Sequence, residues 1–252
     1  MIPQQSLDYG FVNDGLGAHA SRTIMLSELR LLLASCPPST SMDRYRALIL
    51  QQNVLLKQTE ATRRESFRRL RELYGLNPNF LVLRALRDLW DFQPEAQPML
   101  ALLCAAARDP ILRATAKVVL SAPVGSTVTP EIISKSIKDQ FPGRFSPMTL
   151  ASIGRHAASS WRQSGHLQGK LKKIRSIPRN HPTSSAYALF LGYLCGDRGD
   201  GLFDTLWFRL VCAPTHAVHD QAIAAARQGW LEYKRAGDVT EIGFRYLMRG
   251  EV

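Results

Sequence analysis

Ten lysines and arginines stand between positions 135 and 179 (Lys135, Lys138, Arg144, Arg155, Arg162, Lys170, Lys172, Lys173, Arg175 and Arg179), with Asp139 the one acid among them. The stretch carries +9 of a net +11, whereas residues 1–134 contribute +3 and residues 180–252 contribute −1. Such a set does electrostatic chemistry: it neutralises phosphates and releases their counterions, and the commonest partner for so local an excess is nucleic acid. From Met148 to Gln163 the apolar Leu150, Ile153, Ala157 and Trp161 recur at helical spacing, which turns that side to a core. The other side is expected to show Thr149, Ser152, His156, Ser159 and Gln163, flanked by Arg155 and Arg162. Short donors and acceptors with cations beside them suit a helix in a major groove, where cations meet phosphates and short polar groups meet base edges. Arg144, Arg155, Arg162, Lys170, Lys172, Lys173 and Arg175 are therefore expected to contact phosphate, and Thr149, Ser152, His156 and Gln163 to face the groove. Few of these can read a base bidentately, so the expected partner is double-stranded DNA with little sequence preference.

A second basic patch joins Lys57, at the end of one predicted helix, to Arg63, Arg64, Arg68 and Arg71 on the next. It reads either as another polyanion contact or as a solvated face paired with Glu60, Glu65 and Glu72. Other chemistry has weaker footing. Cys212, His216, His219 and Asp220 are interrupted by Pro214 and lack the tight Cys/His spacing of zinc sites, so no metal is expected. Gly196–Gly201 joins two predicted helices and reads as a surface turn. No GxxxxGK[ST], strand-borne GxGxxG or GxSxG occurs, and no pair of acids stands out as a general acid/base couple. The expectation is a non-enzymatic chain without cofactor or small-molecule substrate.

The elements that must hold these residues follow from local grammar. Thr129-Pro130-Glu131 and Ser146-Pro147 each read as a helix start, with Pro142-Gly143 breaking the chain between them. Gly165 is placed to end the second helix, and Leu167–Ile177 partly alternates apolar and cationic residues, as a β-hairpin wing would. Upstream, residues 21–121 read as about six helices (near 21–34, 42–57, 60–74, 78–90, 99–108 and 110–120), with 99–108 apolar nearly all round and so central. Residues 1–20 look irregular, pinned by Tyr9, Phe11 and Leu16. Downstream, helices near 183–194, 202–212 and 215–228 precede a hairpin with a Gly237-Asp238 turn. The fold expected is mainly α: an N-terminal helical bundle (1–122), a basic winged-helix-like module (123–180), and a second, neutral winged-helix-like module (181–252) suited to protein docking.

No apolar run approaches the ~20 residues of a membrane-spanning helix. No basic-then-apolar leader is visible near Met1, and the four cysteines form no CxxC pair. A cytoplasmic protein with reduced thiols is expected.

Asn53-Val54-Leu55-Leu56-Lys57-Gln58-Thr59-Glu60-Ala61-Thr62-Arg63-Arg64 resembles the N-L-L-x-K-x-s-x-x-T-x-R signature of the BrxA family of bacteriophage-exclusion (BREX) defence systems. The upstream helix with Glu28, the Thr149–Leu167 block ending Gly165-His166-Leu167, and Gly237–Phe244 are similar to that family too, in order and spacing. The resemblance implies a small, mainly helical, DNA-binding accessory protein with a NusB-like N-terminal bundle, encoded with a methyltransferase, a large ATPase and a phosphatase-like protein. It implies no active site. An RNA-binding, antitermination-type factor and an assembly protein whose basic face docks an acidic subunit remain the alternatives, with a promoter-specific repressor behind them.

Overall fold

Side-chain caps mark where half of the α-helices among the described residues begin. In the computed structural model, which describes residues 2–15 and 17–250, the chain order is α1 (Leu26–Ala34), α2 (Met42–Leu50), α3 (Glu60–Tyr74), α4 (Leu81–Trp90), α5 (Gln97–Arg108), α6 (Pro110–Ser121), α7 (Pro130–Gln140), α8 (Pro147–Gln163), β1 (Leu167–Gln168), β2 (Ile174–Arg175), α9 (Pro182–Leu194), α10 (Gly201–Asp204), α11 (Leu206–Val211), α12 (Val218–Arg227), β3 (Glu232–Ala236) and β4 (Val239–Gly243). Ser41, Thr59, Asp109, Thr129, Ser146 and Thr205 each accept a backbone N–H at the first turn of the helix they precede, satisfying a donor that the helix itself leaves open. The protein is mainly helical, with two small antiparallel sheets of two strands each. Leu16, expected to anchor the N-terminal segment, lies outside the described residues.

Three elements depart from the sequence-based expectation, each for a local reason. The second helix ends at Leu50 instead of near Lys57, because Asn53 takes a positive φ and closes a ring: its Nδ2 donates to Lys57 O (3.0 Å), and Lys57 N donates to its Oδ1 (2.8 Å). The first begins at Leu26 instead of Ser21, since Met25 is left-handed and residues 18–24 run against α8 instead. The helix expected over 202–212 is two short ones, broken where Thr205 caps α11. The Gly237-Asp238 turn is as expected: Ala236 pairs with Val239 across it.

One buried cluster runs through all three expected segments, from Ile2 to Leu247. Within it α5 is buried from Met99 to Ala107, and α9 from Thr183 to Gly192. These two helices pack on each other, and Tyr187 of α9 donates from its hydroxyl to Val82 O of α4 at 2.8 Å. Fully burying each of the large side chains here stabilises the fold by roughly 1.5–3 kcal/mol. The positions near 122 and 180 are therefore seams in charge, while the apolar core continues across them.

Candidate nucleic-acid interface

Helices α7 and α8 pack tightly on each other and on the end of α6. Ile111, Ile133, Ile137 and Ile153 are buried between them. Gly154 permits the close crossing, since a Cβ there would lie 2.2 Å from Ser134 Oγ and 2.3 Å from Pro130 O. Ser134 bridges the pair: its hydroxyl lies 2.8 Å from both Pro130 O and Leu150 O. Beyond α8, β1 and β2 pair Leu167 with Arg175 and Gln168 with Ile174. A third extended segment joins them: Thr127 bridges Ile174, Arg175 N donates to Ser126 O (2.8 Å), and Val128 N donates to Lys173 O (2.9 Å). Gly169 makes the hairpin turn at φ +91°, and any side chain there would strike Lys172 O.

The cations this framework carries fall into three groups. Lys135, Lys138, Arg155, Arg162, Lys170, Lys172 and Arg179 are exposed, and Lys173 is half-buried with Nζ 3.4 Å from Lys170 O. Arg155 and Arg162, seven residues apart, share one face of α8. Arg144 is exposed but engaged: its guanidinium lies over the Phe141 and Phe145 rings and donates to Gly15 O at 2.8 Å. Arg175 is different in kind. It is 5% exposed and donates from Nη1 to the carbonyls of His166 and Ser176, so the expectation that it meets phosphate on the outer face is corrected. Among the described residues, none of the ten cations of this stretch forms an ion pair with a carboxylate.

Part of the polar side expected to face the groove is engaged within the chain. Gln163 Oε1 accepts from Leu26 N, and His156 Nδ1 lies 3.2 Å from His19 O; both side chains are half-buried. Burial lowers the pKa of His156. Thr149 sits in the cap of α8, its hydroxyl 2.9 Å from Ser146 Oγ, and Ser152 is half-buried. The outward face of α8 is rotated by one residue, to Met148 (83% exposed), Ala151, Arg155 and Arg162. The N-terminal segment engages His156, Ser160 and Gln163, and its course across them could not be announced by any periodicity within α8. Met148, and Leu171 at the hairpin tip (95% exposed), are apolar members of the surface that the sequence reading missed. The signal was available in the spacing Met148–Ala151–Arg155–Arg162, a second helical stripe.

The second basic patch is largely paired within the chain. Arg64 pairs with Glu60 (2.5 Å), Arg68 with Glu65 (2.7 Å), and Arg69 with Glu65 and Glu72 (2.8 and 2.9 Å). Lys57 pairs with Glu28 (2.9 Å), Arg63 donates to Leu50 O, and Arg71 lies over the Phe67 ring. Of the two readings of this patch, the paired face matches the geometry.

Three residues far apart in sequence meet in the order of a nucleophilic triad: Asp109 Oδ2 is 2.7 Å from His19 Nδ1, and His19 Nε2 is 2.9 Å from Ser160 Oγ. All three are buried, and the hydroxyl of Ser160 donates to His156 O while receiving Ile24 N. The serine oxygen is thus held on three sides inside the fold, and all three side chains are closed off from the surface. Asp109 also caps α6 and receives His19 N. Burial would raise its pKa, but the His19 charge and these hydrogen bonds hold it below the usual carboxylate value. The constellation is a clamp that fixes the 17–24 segment to α6 and α8. Gly17 completes it, because a Cβ there would lie 2.4 Å from Asp109 Oδ1.

Among the described residues no three His, Cys, Asp or Glu side chains, those considered for a metal included, are grouped so that they could hold an ion. Cys212 Sγ faces Arg175, and His219 Nδ1 is 2.8 Å from the Tyr233 hydroxyl. Among the described residues no helix is long and apolar enough to cross a membrane. Neither a protein-family model nor a curated protein matches this chain.

Proposed function

We propose that this chain is a non-enzymatic protein that holds double-stranded DNA through its phosphates, with little sequence preference. The observation that carries the reading is the unpaired charge of α8 and the β1–β2 turn. Arg155, Arg162, Lys170 and Lys172 are exposed with no carboxylate partner among the described residues, whereas three of the five arginines of α3, Arg64, Arg68 and Arg69, find theirs within one helical turn. We read the order α6, the 126–128 segment, α7, α8, β1, turn, β2 as winged-helix-like, with α8 as the groove helix and residues 168–173 as the wing. Arg155 and Arg162 would straddle the groove, the wing lysines would meet the flanking backbone, and Met148 and Ala151 would face sugars and bases.

The resemblance of Asn53–Arg64 to the BrxA signature supports placing the protein as an accessory component of a BREX-type defence system. Its signature residues here build structure: the Asn53 ring, the Lys57–Glu28 pair, and the Thr59–Thr62 capping box of α3. The neutral 181–252 segment, with its own hairpin, would dock other subunits. The exposed Leu171, with no phosphate chemistry of its own, favours one second reading, in which the basic face receives an acidic partner subunit.

The test is a gel shift with random duplex DNA and duplex RNA at two salt concentrations, beside a Lys170→Glu/Lys172→Glu/Lys173→Glu variant that leaves the buried Arg175 untouched. Duplex DNA shifted by the native protein and not by the variant supports the proposal. A preference for duplex RNA selects the antitermination-type reading, since A-form RNA closes its major groove to a helix. No shift by either protein sinks nucleic-acid binding and leaves the docking reading.

A further inference from the structure

A cleft of about 580 Å³ lies between β2 and the α10–α12 region, away from the exposed face of α8. Arg175 and Phe208, both buried, form its base; Asp200, Asp204, Arg209 and Thr215 are exposed at its rim. Arg175 is a buried guanidinium with no carboxylate partner. Its Nη1 is satisfied by the His166 and Ser176 carbonyls, but Nε has no partner among the described residues, and Nη2 meets only the Cys212 thiol at 3.5 Å. Nε and Nη2 form the side-on fork of a guanidinium, the edge that takes a phosphate or carboxylate bidentately. Asp200 and Asp204 line the same cleft, yet neither forms an ion pair with Arg175. Leaving a desolvated cation and a free donor edge without an acceptor is costly, and a thiol is a weak acceptor.

The rest of the cleft describes what the anion would be attached to. Phe203, Phe208 and His219 form an aromatic wall, with Phe203 edge-on to Phe208 at 5.1 Å and to His219 at 5.0 Å between ring centroids. Such a wall accepts a flat ring, and the rim carboxylates accept hydrogen bonds from hydroxyl or amino groups. The volume lies within the range of small-ligand pockets. Two cations, the buried Arg175 and the exposed Arg209, against two rim carboxylates leave the cleft with no excess positive charge, which suits a single anionic group and disfavours a polyphosphate. We propose that this cleft binds a nucleoside monophosphate: phosphate on the Nε/Nη2 fork of Arg175 after the Cys212 side chain turns aside, base against the aromatic wall, and sugar hydroxyls toward Asp200 and Asp204. The proposal is independent of DNA binding and reassigns Arg175 from the outer face to a ligand site.

The test uses the full chain and the four common ribonucleoside 5′-monophosphates, with the matching nucleosides and triphosphates for comparison. At millimolar concentration at least one monophosphate should raise the thermal midpoint in a saturable way, and more than its nucleoside or triphosphate does. The same compound should slow alkylation of Cys212 several-fold, read by mass spectrometry of the peptide. The Lys170→Glu/Lys172→Glu/Lys173→Glu variant should keep both effects, and Arg175→Met should lose them. Absence of both effects in the native protein, or their loss in the wing variant, overturns the site. So does an undiminished effect in a folded Arg175→Met. Should Arg175→Met fail to fold, protection of Cys212 in the native chain still decides.

Discussion

Replacing Lys170 and Lys172 by alanine should flatten the salt dependence of DNA binding by an amount that the geometry fixes. Five cations on α8 and its hairpin are free to meet phosphate: Arg155, Arg162, Lys170 and Lys172, exposed, and Lys173, half-exposed. Each neutralised phosphate contributes about −0.9 to the slope of log affinity against log salt, so the native slope should be about −4 to −5. Losing two contacts brings it to about −3. The same relation makes each contact worth roughly 0.7 log unit near physiological salt, so the double variant should bind about 30-fold more weakly there, and more weakly still at low salt. Fluorescence anisotropy with a short labelled duplex, titrated at four salt concentrations, measures both quantities. The control is Arg64→Ala/Arg68→Ala on α3, which removes the same charge from arginines already paired with Glu60 and Glu65. Screening beyond about 8–10 Å should leave its slope at the native value. A wing variant with unchanged slope, beside an α3 variant with a flattened one, would refute the assignment and move the interface to α3.

Three further outcomes follow from the packing. Gly154→Ala should destabilise the fold by about 1–3 kcal/mol, because its Cβ would collide with Ser134 Oγ and Pro130 O; denaturant titration measures it, and a neutral result would mean α7 and α8 separate easily. Acid should destabilise the protein through His166, which burial pushes down to about 3 while its Nε2 donates to Leu210 O (2.8 Å). The unfolded chain then takes up this proton near pH 6.5 and the folded chain does not. The contribution is therefore complete above pH 6.5 and is lost as pH falls toward 3, at up to about 1.4 kcal/mol per pH unit. Asp109, held low in the fold, adds a loss in the carboxylate range. Urea midpoints of native protein and His166→Gln between pH 7 and 4 should converge as the pH drops; parallel curves would show that His166 titrates normally. Asn53→Ala should cost about 1–3 kcal/mol by opening its ring with Lys57, without changing the salt slope of DNA binding.

Local grammar was read well where it acts within one turn of chain. The caps at Thr129 and Ser146, the Asp109-Pro110 start and the Gly237-Asp238 turn each depend on a few adjacent residues, and each lies where the sequence places it. What was not legible depends on partners distant in sequence. Nothing near Arg175 signals that it folds under the hairpin toward Cys212, since its neighbours alternate as a cationic wing should. Nothing near Ser160 points to His19 and Asp109, which lie 141 and 51 positions away. The apolar continuity of α9 is visible in Ala186–Leu194, but that it makes a second central helix against α5 is a tertiary fact.

The phase of α8 shows how far charge and period can take a reading of function. Two stripes were available on this helix, one of short polar side chains and one of Met148, Ala151, Arg155 and Arg162. Polarity favoured the first as the outward face, because short polar residues are rarely buried without a reason. The reason here is the N-terminal segment: residues 17–26 need acceptors and donors where they cross α8, and His156, Ser160 and Gln163 supply them. Unsatisfied backbone groups in a buried crossing are more costly than the loss of a polar surface stripe. The polar side of α8 was thus taken by the chain's own backbone, and the long cations, whose stems tolerate partial burial while their heads remain in water, were left on the outer face. The same contrast separates α8 from α3: an arginine with a glutamate three or four residues away on its own helix is already answered, and one whose neighbours are Ala151, Ser159 and Met148 is not.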